Sequence, residues 1–279
     1  MKEENAKFQT YKGLVDTVLT NELDEARESL RRKGVFLKQK LFSASEINML
    51  RDGIDRVWGM QLKEYGEDYL RAINEYGSVR CMMDYDQSFM SLIRDERIFK
   101  FIADILGDTA ILHVQNGIIL FPDQEHNQSQ YHKDFPKNII VEEKLSLNSL
   151  IIIDPFTKES GSTFFIEGSH NIKEKPSEEY IKSNELQIEA NPGDVIFFDS
   201  MLWHKGGENI STNPRRSINQ QYTKPFIKQQ ISYPDLLKAK VDKESPLAQT
   251  LGMWSVPPKN LKEYRVDSPD KRTYRGGQG

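Results

Sequence analysis

The chain of 279 residues holds a single cysteine, Cys81. An intrachain disulfide framework is therefore impossible, which fits a reducing compartment. No stretch approaches the ~20 consecutive apolar residues that a membrane span requires. The opening Met1-Lys2-Glu3-Glu4-Asn5-Ala6-Lys7 has no apolar signal core behind it, so a cytoplasmic protein is expected. A basic excess is lacking as well: 38 Lys and Arg stand against 42 Asp and Glu, a net charge of −4. Nucleic-acid binders usually carry a basic footprint, so no nucleic-acid partner is expected. Internal repeats and low-complexity segments are absent from the sequence.

The charged fraction of 29% and a mean hydropathy of −0.63 describe a well-solvated surface. The length suits one domain with additions, because barrel-like β domains of roughly 200–250 residues commonly stay whole. The expected divisions are a helix-rich part over 1–108, a β core over 109–225 and an extension over 226–279.

Residues 8–33 read as a helix, with Leu14, Val15, Val18, Leu19 and Leu23 at helical spacing and Gly34 stopping the pattern. Val35-Phe36-Leu37 reads as a short strand. Ser43 and Glu46 form a capping box ahead of the apolar stripe Ile47, Leu50, Ile54 and Val57. Residues 64–91 give no firm pattern. Asp95 to Leu106 is a helix closed by Gly107. From Thr109 the period changes to that of strands: 110–121, 145–153, 162–166, 195–198, 200–204 and 215–222, with turn signals between them. Many short strands behind a helical front give a mainly β protein with flanking helices, a double-stranded β-helix or jelly roll of the cupin kind.

The chemistry-bearing residues fall in two distant patches. In Tyr131-His132-Lys133-Asp134-Phe135, His132 and Asp134 are two apart, so an extended backbone points both the same way and Lys133 the other. The second patch is Trp203-His204-Lys205-Gly206-Gly207. Two histidines and one carboxylate on one face suit Fe(II) and leave open coordination positions. Each patch alone is weak. A His-x-Asp triplet occurs by chance, and His204 after an apolar run also suits a packed core histidine. His113 and His170 are spare histidines, His170 suiting a turn; His126 reads as a solvated residue of a polar loop that could also serve as a lid, and Asp199 as either a support to His204 or a turn cap. Arg80, Lys133, Lys137 and Lys224 read as solvated cations that could also meet an anionic substrate.

The order of the parts is more specific. His132 and Asp134 are followed by Asn148 to Ile153 with Asp154, by Gly161, by Glu167-Gly168-Ser169-His170, by Pro192-Gly193-Asp194, by His204 with Gly206 and Asn209, and by Pro214-Arg215. This order, over roughly residues 35–225, resembles the phytanoyl-CoA dioxygenase family of Fe(II)/2-oxoglutarate-dependent oxygenases. Glu167 stands where that family usually has proline. The resemblance implies His132, Asp134 and His204 as iron ligands and as the catalytic centre. It implies Arg215, eleven residues after His204, as the cation that grips the far carboxylate of 2-oxoglutarate. A guanidinium fork matches a carboxylate in bidentate fashion, and Arg216 would face the opposite way on the strand. Gln115 and Asn148 are candidate further contacts to 2-oxoglutarate, or else structural hydrogen-bonding groups. The implied reaction takes O2, 2-oxoglutarate and an unactivated C–H bond of a small-molecule substrate, and gives an alcohol, succinate and CO2. The carboxylate at Asp134 favours hydroxylation over halogenation, since a halide would need that position. The ligand types alone also allow a zinc hydrolase or a metal- or sugar-binding jelly-roll module without turnover.

Overall fold

A computed structural model describes residues 19–122, 124, 128–135 and 139–266. Leu14, Val15 and Val18, His126, Lys137 and the last thirteen residues of the tail lie outside the described residues.

The described residues form nine strands: β1 (Val35–Lys38), β2 (Ser78–Arg80), β3 (Ile111–Leu120), β4 (Ser146–Ile152), β5 (Phe164–Ile166), β6 (Glu185–Gln187), β7 (Val195–Asp199), β8 (His204–Lys205) and β9 (Arg215–Thr223). Six form one sheet in the order β1-β7-β4-β9-β3-β2, and three form a second, β6-β5-β8. Every pairing between these strands is antiparallel, and the order is far from sequential. The two sheets face each other as a jelly roll.

The large sheet is buried on both faces, which explains why β4 is buried at every residue. On one face Leu147, Ile151, Val195, Phe197, Ile218 and Tyr222 pack against the helical layer. Alternate residues on the other face, Leu150, Ile152, Ile196 and Phe198, meet Phe165 of the small sheet. The helix Ala44–Tyr65 begins with the expected capping box: Ser43 accepts from Glu46 N, and Glu46 accepts from Ser43 N. The helix Glu96–Leu106 is capped by Asp95 and ends at Gly107. Its Phe101 ring lies 4.8 Å from that of Phe197, so this helix seals the outer face of the sheet.

Several sequence expectations need correction. The first helix is not continuous through residue 21. It runs Glu22–Arg32 because Asn21 adopts an extended backbone and its side chain accepts from Leu23 N and Asp24 N, which is an N-cap. The indefinite 64–91 stretch carries three short helices and β2, with Cys81 in the left-handed region (φ 47°) between β2 and the helix Met82–Tyr85. The segment 200–204 is a turn until His204, since Asp199 accepts from Met201 N at 2.8 Å. Asp199 is thus a turn cap.

Two glycines hold the small sheet to its loops. Gly161 has φ +77°, and a Cβ there would lie 2.7 Å from Gly207 O and 2.8 Å from Glu208 O, both fixed backbone atoms. Gly161→Ala should therefore lower stability by about 2 kcal/mol, from left-handed strain plus a backbone clash. A thermal melt should fall by several degrees; an unchanged melt would show that this crossing is not under the constraint described.

Candidate metal centre and adjoining cavity

The two patches meet through the backbone. His132 N donates to His204 O at 2.9 Å and His204 N donates to His132 O at 3.0 Å, an antiparallel bridge that extends the small sheet beyond β8. Asp134 N donates to Ser200 O at 3.0 Å, continuing the contact. The imidazoles then lie 4.3 Å apart, centroid to centroid, and His204 is enclosed by Phe198 at 4.8 Å and Phe165 at 5.9 Å.

Both imidazoles are oriented by carbonyls. His204 Nδ1 lies 2.9 Å from Leu202 O, and His132 Nδ1 lies 2.8 Å from Gln130 O. A proton on each Nδ1 satisfies those carbonyls and turns the Nε2 lone pair inward, as metal-ligating histidines are usually held. His132 Nε2 is 3.4 Å and His204 Nε2 3.7 Å from Asp134 Oδ1, and one ligand atom from each residue lies within 4.8 Å of the others. Two ligands bonded at about 2.1 Å to a common ion stand roughly 3–4 Å apart. Donor types and spacing therefore fit one small metal ion.

The carboxylate is held from behind. Asn148, fully buried on β4, donates through Nδ2 to Asp134 Oδ2 at 2.8 Å and to Asn219 Oδ1 at 3.1 Å, and its oxygen accepts from Ser200 Oγ. Burial alone would raise the pKa of Asp134, but His204, His132 and the Asn148 amide outweigh it and hold the group below the usual carboxylate range. Burial pushes His204 down to about 4, with Asp134 opposing and His132 reinforcing. At neutral pH the pair is thus carboxylate and neutral imidazole, the forms a metal requires.

A cavity opens from Asp134 and His204. Leu120, Leu150 and Phe198 supply apolar walls, and Arg215, Ser217 and Asn219 of β9 supply polar ones. Arg215 is buried over the Phe156 ring, 4.0 Å from its centroid. Its Nε and Nη1 make no hydrogen bond, and neither does the nearby buried Ser217 hydroxyl. Burial lowers the Arg215 pKa to about 9, partly offset by Asp154. A buried cation without a partner is strongly unfavourable, so the site calls for an anion within reach of Nε and Nη1. Arg216 points the other way: its Nε lies 2.6 Å from Asp55 and its Nη1 2.9 Å from Asp154.

Gln115 is not brought to this cavity. It sits on the opposite face of β3, where its backbone N–H meets Tyr233 Oη at 3.2 Å and its Nε2 meets Phe89 O at 3.3 Å. Strand alternation gives the cavity-facing positions to Ile118 and Leu120. Asn148 supports Asp134 and does not line the cavity. His170 meets Arg31 O, Lys224 pairs with Glu143, and Lys133 is buried with Nζ on Ile172 O at 2.6 Å. Ser217, Asn219 and Thr163 also line the cavity and carry no motif in the sequence. Ser217 and Asn219 are two and four residues beyond Arg215, so alternation along β9 was the available signal.

The quoted motif residues outside the triad build the frame. Asp194 accepts from Lys40 N and Asn191 N, Ser169 accepts from Trp203 N, and Asn209 donates to Leu120 O and Asn213 O.

The family model for phytanoyl-CoA dioxygenase matches residues 30–217. The chain belongs to the phytanoyl-CoA dioxygenase family. Uncharacterized proteins of Mycobacterium tuberculosis and Mycobacterium bovis are each 36% identical over 264 residues, covering 92% of this chain and 96% of theirs. Two solved structures share the fold. One is the non-heme alpha ketoglutarate dependent carbocyclase SnoK from nogalamycin biosynthesis, with a TM-score of 0.57, 18% identity and coverage of 71% of this chain and 83% of that one. The other is the epimerase SnoN in complex with Fe3+, alpha ketoglutarate and nogalamycin RO, with a TM-score of 0.55, 16% identity and coverage of 72% and 83%. Among the described residues no helix is long and apolar enough to cross a membrane.

Two outcomes follow from this geometry. Unfolded, His204 takes up a proton near pH 6.5; folded, it resists until about pH 4. Between those values the unfolded chain binds more protons, so stability of the metal-free protein falls as pH drops from 6.5 to 4. The urea midpoint should decline across that window and decline less in His204→Gln; equal slopes would refute the account of His204. Asn148→Ala leaves Asp134 Oδ2 without its donor, and metal affinity should fall about 10–100-fold, measured by Fe(II) competition with a chromophoric chelator. Unaltered affinity would mean that Asp134 needs no support from Asn148.

Proposed function

We propose that this family member is an Fe(II)/2-oxoglutarate-dependent hydroxylase acting on a small organic substrate, with His132, Asp134 and His204 as iron ligands and Arg215 as the seat of the co-substrate. The observation that carries the reading is Arg215: a buried guanidinium with two unmatched nitrogens, lining the same cavity as Asp134 and His204. A hydrolytic zinc site with the same three ligands has no use for a carboxylate fork at that depth. A passive metal-binding module with the same three ligands likewise has no use for an unpartnered guanidinium in that cavity.

When bound, iron with 2-oxoglutarate supplies oxygen activation: substrate C–H, 2-oxoglutarate and O2 become C–OH, succinate and CO2. The chain's own residues do the positioning. The Leu202 and Gln130 carbonyls fix the imidazole tautomers, and Asn148 holds one carboxylate oxygen so that the other faces both Nε2 atoms. Arg215 and Ser217 bind the far carboxylate of 2-oxoglutarate, where charge-assisted hydrogen bonds fix its orientation. Leu120, Leu150 and Phe198 keep that end dry, which strengthens the ion pair. Asp134 occupies the position that a halide would need, so the reading is transfer of a hydroxyl. The half-buried Cys81, its thiol pushed up to about 11 by burial, suits a reducing cytoplasm, where we place the enzyme.

Anaerobic addition of 2-oxoglutarate to the Fe(II)-loaded protein should give a weak visible charge-transfer band, absent in His132→Ala. Arg215→Ala should keep iron binding and weaken 2-oxoglutarate binding by at least about 100-fold, the loss of a buried charged pair. Arg216→Ala should leave 2-oxoglutarate binding near wild type. Tight zinc retention with no band would sink the oxygenase reading, and an effect confined to Arg216→Ala would move the seat by one residue.

A further inference from the structure

A second, open cavity meets the first at Asp134 and shares Ile118, Gln128 and Asn219 with it. Its walls differ in kind. Ser78, Arg80, Asn116, Asn219, Gln221 and Gln230 face it, and only Val114 and Ile118 are apolar. The first cavity carries the orphaned cation, and this one carries uncharged amides and a hydroxyl. It runs along β2 and β3, away from Arg215.

The one cation here is already engaged. Arg80 Nη2 lies 2.5 Å from Glu75 Oε1, and Nη1 meets the Asn116 amide oxygen at 2.7 Å, with the amide nitrogen on Gln115 O. A guanidinium tied on two sides is a poor anchor for an anion, and the Arg80–Glu75 pair is neutral as a unit. Polar atoms that remain open are neutral: the Ser78 hydroxyl, the NH2 of Asn219 (whose oxygen takes the Asn148 amide), one end of the Gln221 amide (the other meets Ser146), and the whole amide of Gln230. Amides and hydroxyls present donors and acceptors side by side. Their complement is a molecule that does the same at several points, which is a polyol.

Resting on the proposed function, we infer that the primary substrate is a neutral, polyhydroxylated small molecule of the sugar or cyclitol class, bound in this second cavity with one of its C–H bonds turned toward the Asp134 end. A hydrocarbon chain would strip water from four polar groups and return no hydrogen bond, at roughly 1–3 kcal/mol for each. A small anion would have to displace Glu75 from Arg80.

The test is calorimetric titration, under nitrogen, of the protein loaded with Fe(II) and 2-oxoglutarate. The probes are D-glucose, methyl α-D-glucoside and myo-inositol, with myristate as the apolar comparator and glucose 6-phosphate as the anionic one. At least one neutral polyol should bind, more tightly than myristate and no less tightly than the phosphate ester. Gln230→Leu, at the exposed rim, and Ser78→Val should each weaken that binding about five- to tenfold, the worth of one neutral hydrogen bond. A sample that shows the charge-transfer band yet binds none of the polyols overturns the substrate class and leaves the proposed function standing. Preference for myristate, strengthened in Gln230→Leu, also overturns it. A sample without the band fails at the iron reading itself, and the inference falls with it.

Discussion

The site depends on one backbone contact, the pair of N–H···O bonds between His132 and His204. Without it the two ligand-bearing segments belong to different parts of the chain, each with a histidine of no evident purpose. With it, both imidazoles and the Asp134 carboxylate fall on one side of a short antiparallel ladder. The rest of the small sheet can be understood as support for that contact. Phe165 pairs with His204 in register, Gly161 lets the following loop cross Gly207 closely, and Ser169 ties the segment before His204 to the turn after β5. Gly161 and Ser169 belong to motifs that look chemical in the sequence and are architectural in the fold.

A second constraint comes from strand alternation along β9. Arg215 and Arg216 are adjacent and chemically alike, yet their surroundings are opposite. Arg216 is held outside by Asp55 and Asp154, and this anchoring obliges Arg215 to face inward. There it has an aromatic ring beneath it, and its Nε and Nη1 have no hydrogen-bond partner. Proteins rarely bury such a group without a partner, so the unsatisfied guanidinium marks where a ligand's charge belongs. The same alternation continues through Ser217 and Asn219 and divides the interior into an end with a free cation and an end lined by amides. One strand thereby separates the region suited to an acid from the region suited to a neutral polar molecule.

Much of the architecture was legible in the sequence because it rests on local signals. The Ser43–Glu46 capping box, Gly107 after its helix, the turn at Asn191 to Asp194 and the apolar β7 all occur where composition puts them. The ligand-bearing triplet was legible because its period of two is a property of extended chain. The misses share a cause, since side-chain direction depends on a register that tertiary pairing decides. Gln115 has an attractive chemistry and the wrong parity: a bulge near His113 shifts the pairing of β3 with β9, and Gln115 turns to Phe89 and Tyr233. Asn148 has the right parity, but the carboxylate reaches it first. The helical starts at Asn21 and over 67–93 depend on caps and short-range packing that periodicity does not reveal.

The most direct test of the central claim is an anomalous difference map at the iron edge, from crystals grown under nitrogen with Fe(II) and 2-oxoglutarate. The account predicts one strong peak within bonding distance of His132 Nε2, His204 Nε2 and Asp134 Oδ1, with the far carboxylate of 2-oxoglutarate on Arg215. A peak bound elsewhere, or 2-oxoglutarate seated away from Arg215, would contradict it.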